Sequence, residues 1–257
     1  MRGNKIQLIH GDCLEKMKDI PDKSIDMILC DLPYGTTACK WDVVIPFEPL
    51  WEHYLRVGKD NCVVALTASQ PFSSALVMSK PSLFRHEWIW IKNAGSNFAN
   101  TCREPFKEHE QILVFSRGKW TYNKQMQERA ESGKSRIKTP VKFETGSDNY
   151  REFDRVETKT MPELRVPSSW QKFNRERGLH PTQKPVDLME YLIRTYTNEG
   201  ELVLDNCMGS GSTGIACVNT KRNFIGIEKD DTYFEIAKNR INNHLTIVEG
   251  DKQELAP

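Results

Sequence analysis

The chain of 257 residues has no run of about 18 apolar residues, so a membrane-spanning helix is not expected. It has no paired cysteines either: the seven, at 13, 30, 39, 62, 102, 207 and 217, are odd in number, scattered, and without a Cys-x-x-Cys. Neither a disulfide framework nor a zinc site fits that spacing, and reduced, mostly buried thiols are expected. The six histidines are equally dispersed, so no metal is implied. Met1-Arg2-Gly3-Asn4-Lys5 leads into Ile6-Gln7-Leu8-Ile9 with no signal-peptide core, and the expectation is a cytoplasmic protein. Net charge is only +1, but it is unevenly placed. Residues 117–178 hold 15 Lys/Arg against 9 Asp/Glu, net +6, and the remainder is net −5. A solvated surface accounts for such a stretch as readily as a nucleic-acid interface does.

What is present is an alternation of strand and helix signals at a length suited to one large α/β domain with a modest insertion. The stretch that organises it is Asp31-Leu32-Pro33-Tyr34-Gly35, which follows the buried-strand pattern Ile25-Asp26-Met27-Ile28-Leu29-Cys30. A carboxylate at the carboxyl end of a strand lies where open α/β sheets bind ligands. Pro33 fixes φ and biases Leu32 to an extended conformation, and Gly35 permits a sharp exit. The turn would present Asp31, the Leu32 carbonyl and the Tyr34 ring to one cleft. Two oxygen acceptors suit an exocyclic amine of a nucleobase, whose lone pair is delocalised into the ring until its N–H groups are drawn aside. Tyr34 would stack on the same base. A plain strand-ending turn is the competing reading.

The remaining pattern reads in order as a strand at Ile6–His10, a short helix from Leu14 to Ile20, and a helix around Phe47–Arg56. Strands at Asn61–Thr67, Phe84–Lys92 and Glu110–Phe115 follow. Asp12 falls at the same sheet edge as Asp31. The segment from Thr36 to Asp42, with Lys40 and Trp41, reads as a flap beside the cleft or an ordinary loop. Residues 117–178 interleave basic residues with Trp120, Tyr122, Phe143, Tyr150, Phe153, Trp170 and Phe173, and read as an insertion of loops and short elements. The domain limits expected are 1–116, 117–178 and 179–257. A helix at Val186–Tyr196, a strand at Glu201–Asp205, a glycine loop, a strand at Asn223–Glu228 and a helix from about Asp230 to His244 complete the chain.

Gly209-x-Gly211-x-x-Gly214 has the spacing of a dinucleotide fingerprint, with a strand before it, a helix after it and Glu228 at the distance of a ribose-binding acid. Asp205 decides between ligands. A carboxylate just ahead of the loop repels a pyrophosphate and attracts the ammonium of an amino-acid moiety. S-adenosylmethionine carries that ammonium and a ribose, and no phosphate. A nicotinamide-dependent oxidoreductase shares the loop and Glu228, whereas a Walker loop is excluded because no Gly-Lys-Ser/Thr follows.

Asp31-Leu32-Pro33-Tyr34, His180-Pro181-Thr182-Gln183-Lys184-Pro185 and Asp205-x-Cys207-x-Gly209-Ser210-Gly211-Ser212-Thr213-Gly214, in this order, resemble the DNA amino-methyltransferases of the permuted beta class. Gly11-Asp12-Cys13 and Trp88-Ile89-Trp90-Ile91-Lys92 belong to the resemblance, which covers nearly the whole chain. It implies a doubly wound, mostly parallel seven-stranded Rossmann-like sheet with an inserted target-recognition region. It also implies S-adenosylmethionine as methyl donor and a base flipped from double-stranded DNA as acceptor. Carried over by position, Asp31 and Leu32 accept the amine hydrogens, Pro33 keeps the turn, and Tyr34 stacks on the base. Asp205 takes the ammonium, Glu228 the ribose, Asp12 and Cys13 the adenine edge, and Thr182 and Lys184 the methionine carboxylate. Asp31, Cys207, Gly209, Ser210, Gly211, Ser212 and Thr213 complete that pocket. Leu32 departs from the commoner Asp-Pro-Pro-Tyr, a change a main-chain role tolerates. The leading Asp resembles adenine-N6 enzymes, with cytosine-N4 as the alternative. A DNA-binding module with an inactive site is the remaining reading, and related enzymes dimerise, so a homodimer is left open.

Overall fold

The computed structural model describes residues 4–37, 39, 42–131, 163–176, 178 and 182–254. The expectations placed on Lys40, Trp41, His180, Pro181 and most of the basic stretch, including Phe143, Tyr150 and Phe153, lie outside the described residues. In chain order the elements are β1 (Ile6–His10), α1 (Cys13–Lys16), β2 (Ile25–Cys30), α2 (Phe47–Val57), β3 (Gly58–Ala68), α3 (Phe72–Ser79), β4 (Phe84–Ile91) and β5 (His109–Ser116). There follow β6 (Gln127–Glu128), β7 (Leu164–Arg165), β8 (Trp170–Lys172), α4 (Val186–Tyr196), β9 (Leu202–Asp205), α5 (Ser212–Asn219), β10 (Asn223–Glu228) and α6 (Asp231–Glu254).

Side-chain alternation along the strands makes two cores. Met27 and Leu29 of β2 join Val63 and Ala65 of β3 and Val203 of β9 under α4, α5 and α6. Ile28 and Cys30 join Val64, Leu66 and Leu204 under α1, α2 and α3. A strand buried on both faces reads as a continuous apolar run, which is how β2 appears in the sequence.

The sheet order is β1-β10-β9-β2-β3-β5-β4-β8, eight strands where seven are expected. β5 runs antiparallel to β3 and β4, and the other pairings are parallel. The additional strand is β8, three residues beside β4, too short for alternation to mark within a polar segment. The chain also forms two compact units. One unit spans Met1–Asn123 with Ser169–Pro257, and the other is Lys124–Ser168, in which β6 and β7 pair antiparallel. α6 continues past the expected end at His244 to Glu254.

The strand order reverses between β9 and β2, which pair in parallel with Met27 opposite Val203 and Ile28 opposite Leu204. Chain on one side leads outward to β10 and β1, on the other to β3 and β5. Such a switch point opens a crevice at the carboxyl ends of the strands. Asp205 is the last residue of β9, and Asp31 is the first residue after β2. The two stretches that sequence motifs single out, separated by most of the chain, therefore meet at one rim.

Among the described residues no helix is long and apolar enough to cross a membrane, and no group of three or more His, Cys, Asp or Glu is placed to hold a metal ion.

Candidate active site

A cleft of about 1080 Å³ opens at that rim, lined by Asp12, Asp31, Tyr34, Lys184, Asp205 and Glu228 among others. One end is built by the glycine loop. Gly209 and Gly211 have φ of 50° and 80°, left-handed values that favour glycine. A Cβ on Gly214 would come 2.4 Å from Cδ1 of Ile241, so the third glycine lets α5 pack closely on α6. Glu228 closes the loop from β10: its Oε2 accepts the Gly209 N–H at 2.8 Å, and its Oε1 accepts the Lys229 and Asp230 N–H groups at 2.8 and 2.9 Å. Asp12 caps α1 by accepting the Leu14 N–H at 3.0 Å and meets Lys229 at 3.0 Å.

Asp205 is 3% exposed. Its carboxylate accepts the Thr213 hydroxyl at 2.6 Å and the Cys207 N–H at 3.1 Å. Burial pushes its pKa up to about 7 despite those bonds and one from Cys30, and the charge of Asp31 adds to the rise. No cation is paired with it among the described residues, so this end of the cleft favours a positively charged ligand group. The neighbouring thiols of Cys13, Cys30 and Cys207 are held protonated: contact with Cys207 and burial raise Cys13, and burial raises Cys30 to about 12. Behind them Tyr54 donates to Oδ1 of Asn206 at 2.6 Å, a buried bond that anchors the loop's start.

The other end is built around Asp31. Its Oδ1 accepts the Thr67 hydroxyl and the Tyr34 hydroxyl, the latter at 3.0 Å, and its Oδ2 accepts Lys184 at 2.6 Å. The Tyr34 hydroxyl also lies 3.0 Å from the Thr67 hydroxyl oxygen and its one proton serves either acceptor, so two or three of roughly four acceptor positions on Asp31 are taken and at least one remains for a ligand N–H. Leu32 is buried and lines the cleft beside Asp31. The Tyr34 ring, assigned by sequence to a base, lies against Phe72 with centroids 5.1 Å apart, and the Lys184 ammonium sits 5.6 Å from its centroid. Burial and the charges of Asp31 and Glu110 raise its phenol well above the usual value, so it stays a neutral donor.

Lys184, expected on a ligand carboxylate, is buried between Asp31 and Glu110 of β5. Its pKa is raised: burial alone would lower it, and the two carboxylates outweigh that. Thr182 also lines the cleft. Sequence reasoning gave no role to five residues that frame the site. Glu110 and Lys92 extend the ion pairs inward, 3.0 Å apart. Glu176 accepts the Val186 N–H at 2.8 Å, capping α4 where Pro185 cannot, and Arg240 reaches from α6 to the Ser210 carbonyl at 3.1 Å and the Ser212 hydroxyl at 3.2 Å. Asp42 accepts the N–H groups of Gly35, Thr36 and Thr37 at 2.8, 2.9 and 2.7 Å, pinning the segment after Tyr34. Only that last residue carried a local signal, an Asp a few residues beyond a glycine turn.

A model of the DNA methylase family, N6 and N4 class, matches residues 25–239. The type II methyltransferase M1.MboII of Moraxella bovis is 29% identical over 262 residues, covering 95% of this chain and 99% of that protein. The DNA adenine methyltransferase YhdJ of Escherichia coli K12 is 27% identical over 260 residues, covering 93% and 84%. Among solved structures, M1.HpyAVI superposes with a TM-score of 0.62 at 27% identity over 92% of this chain and 98% of that one. The PvuII cytosine-N4 methyltransferase superposes with a TM-score of 0.65 over 95% and 92%, at 13% identity, a likeness of fold.

Proposed function

The chain belongs to the N6/N4 DNA methylase family, and from that premise we propose that it transfers a methyl group from S-adenosylmethionine to the N6 amine of adenine in double-stranded DNA. The observation that carries the reading is the convergence of Asp31 and Asp205 on one cleft, an acceptor at one end and a buried acid without a cation at the other. The donor set fits the cofactor. Asp205 would hold its ammonium, Glu228 would receive the ribose hydroxyls, and Gly209 and Gly211 would admit it close to the backbone. Bound there, S-adenosylmethionine supplies a methyl group on a sulfonium centre. The chain's own part is alignment. Asp31 and the Leu32 carbonyl draw the amine's hydrogens out of conjugation, Tyr34 and Thr67 hold Asp31 in place, and the proton released leaves to water. Extruding the base costs a few kcal/mol, offset by contacts in the cleft and by the positive charge of residues 117–178. No cysteine nucleophile is involved, in keeping with thiols held protonated.

Adenine is favoured over cytosine by the leading Asp31, and among the relatives YhdJ is named a DNA adenine methyltransferase. Incubation with plain DNA and labelled cofactor, followed by digestion to nucleosides and mass spectrometry, is expected to give N6-methyldeoxyadenosine. N4-methyldeoxycytidine would move the assignment to cytosine, and no methylated nucleoside would leave a binding module. S-adenosylhomocysteine is expected to raise the melting temperature, and NAD to leave it unchanged.

Asp42 supplies a separate test of loop positioning. Asp42→Ala releases three N–H groups next to Tyr34, and turnover is expected to fall about 10- to 100-fold through misalignment. Steady-state kinetics alongside thermal melting checks this, since the buried Asp42 side chain bonds within its own loop and the fold should persist.

A further inference from the structure

We propose that Lys184 is a positioning residue for Asp31, braced from behind by Glu110 and Lys92; the proposal rests on the methyl-transfer reading above. The four side chains form a row of alternating charge running inward from the cleft. Lys184 Nζ lies 2.6 Å from Oδ2 of Asp31 and 3.4 Å from Oε2 of Glu110, and Glu110 Oε1 lies 3.0 Å from Lys92 Nζ. Lys184 is 6% exposed and Lys92 4%, so water does not replace a lost partner. Lys92 is held further by the Ser96 hydroxyl at 3.4 Å.

Two consequences follow from this geometry. Withdrawing Lys184 to serve a ligand carboxylate would leave Asp31 and Glu110 facing each other as like charges in a dry setting. Keeping it in place fixes one oxygen of Asp31, leaving the remaining acceptor position aimed at the cleft. The titratable groups facing Asp31 are Tyr34, Cys30, Asp205, Glu110 and Lys184. Lys184 is the one cation among them. Its removal would therefore leave Oδ2 of Asp31 without the partner that fixes it, beside the like charge of Glu110. Glu110, in turn, keeps the ammonium from swinging out toward the cleft.

Lys184→Gln and Glu110→Gln test this, with saturation kinetics across pH 5.5–9 and binding of S-adenosylhomocysteine by calorimetry. The expected result for Lys184→Gln is a kcat lowered about 100-fold across that pH range, with the KM for DNA and the cofactor-analogue Kd each within about threefold. Glu110→Gln is expected to lower kcat about 10-fold with the Kd unchanged. Should Glu110→Gln fail to fold, Lys92→Met/Glu110→Leu removes both charges of the deeper pair without orphaning either, and the same loss of kcat is expected. A Kd weakened at least tenfold in Lys184→Gln with kcat preserved would assign Lys184 to the cofactor and overturn the proposal. An unchanged kcat in the foldable variants would overturn it too. Absence of methylation by the unaltered enzyme would instead sink the functional reading itself.

Discussion

Asp31→Ala is expected to lower kcat by about 10²–10³-fold or more while S-adenosylhomocysteine still raises the melting temperature. The loss follows from what an exocyclic amine needs, because without Asp31 one N–H has no acceptor and the lone pair stays in the ring. The cofactor end is separate: Asp205 is fixed by Thr213 and the Cys207 N–H, and Glu228 by three backbone N–H groups, none of which touches Asp31. Stability should fall as well, since the variant leaves the buried Lys184 without its nearest carboxylate, and breaking a buried pair costs about 3–5 kcal/mol. The Asp31 side chain keeps 24% of its surface exposed, which puts the expected loss toward the lower end of that range. Asn at this position keeps the shape and loses the charge, and it should be nearly as slow. Equal turnover in either variant removes Asp31 from the mechanism.

Asp205→Asn is expected to weaken cofactor binding by about 2–5 kcal/mol, the range for truncating one partner of a buried charge pair. Its pH dependence has a definite sign. In the free protein burial raises the Asp205 pKa to about 7 from an ordinary 3.8. The folded state therefore binds more protons than the unfolded state between those values, and the contribution of Asp205 to stability declines as pH rises from about 4 to about 7. A cationic ligand needs the ionised form, so affinity should rise about tenfold per pH unit below 7 and level off above it. Calorimetry of S-adenosylhomocysteine binding in buffers of different ionisation enthalpy should show proton release near pH 6.5 for the unaltered chain. Asp205→Asn should bind weakly with a flat profile, and in the free state it should melt no lower at pH 8 than the unaltered chain. A variant that keeps both affinity and pH dependence would show that the ammonium sits elsewhere.

The parts of this structure that the sequence made legible are those written in a few consecutive residues. β2 announces itself because a strand covered on both faces must be apolar throughout, and Asp31 follows because polar residues resume where the strand ends. The glycine loop is legible for the same reason, each glycine answering a left-handed φ or a close helix contact. Asp205 and Glu228 bracket it at fixed spacing. Glu110 and Lys92 were illegible: they sit at strand ends as ordinary polar residues, and their meaning comes only from β4 and β5 pairing so that His109 lies opposite Ile91. Lys184 was recognised as part of a motif, yet its partner Asp31 is 153 positions away, and nothing local separates a ligand's carboxylate from the protein's own. The packing of the Tyr34 ring on Phe72 from α3 was equally out of reach of local pattern. β8 was missed because three residues leave too little alternation.

The most direct measurement is a crystal structure of the chain with S-adenosylmethionine. The account expects the ammonium at Asp205, the ribose at Glu228 and the sulfonium methyl facing Asp31, leaving room for a base nitrogen at about 3–3.5 Å. Cofactor bound with its methyl directed away from Asp31, or outside the cleft between β9 and β2, would contradict it.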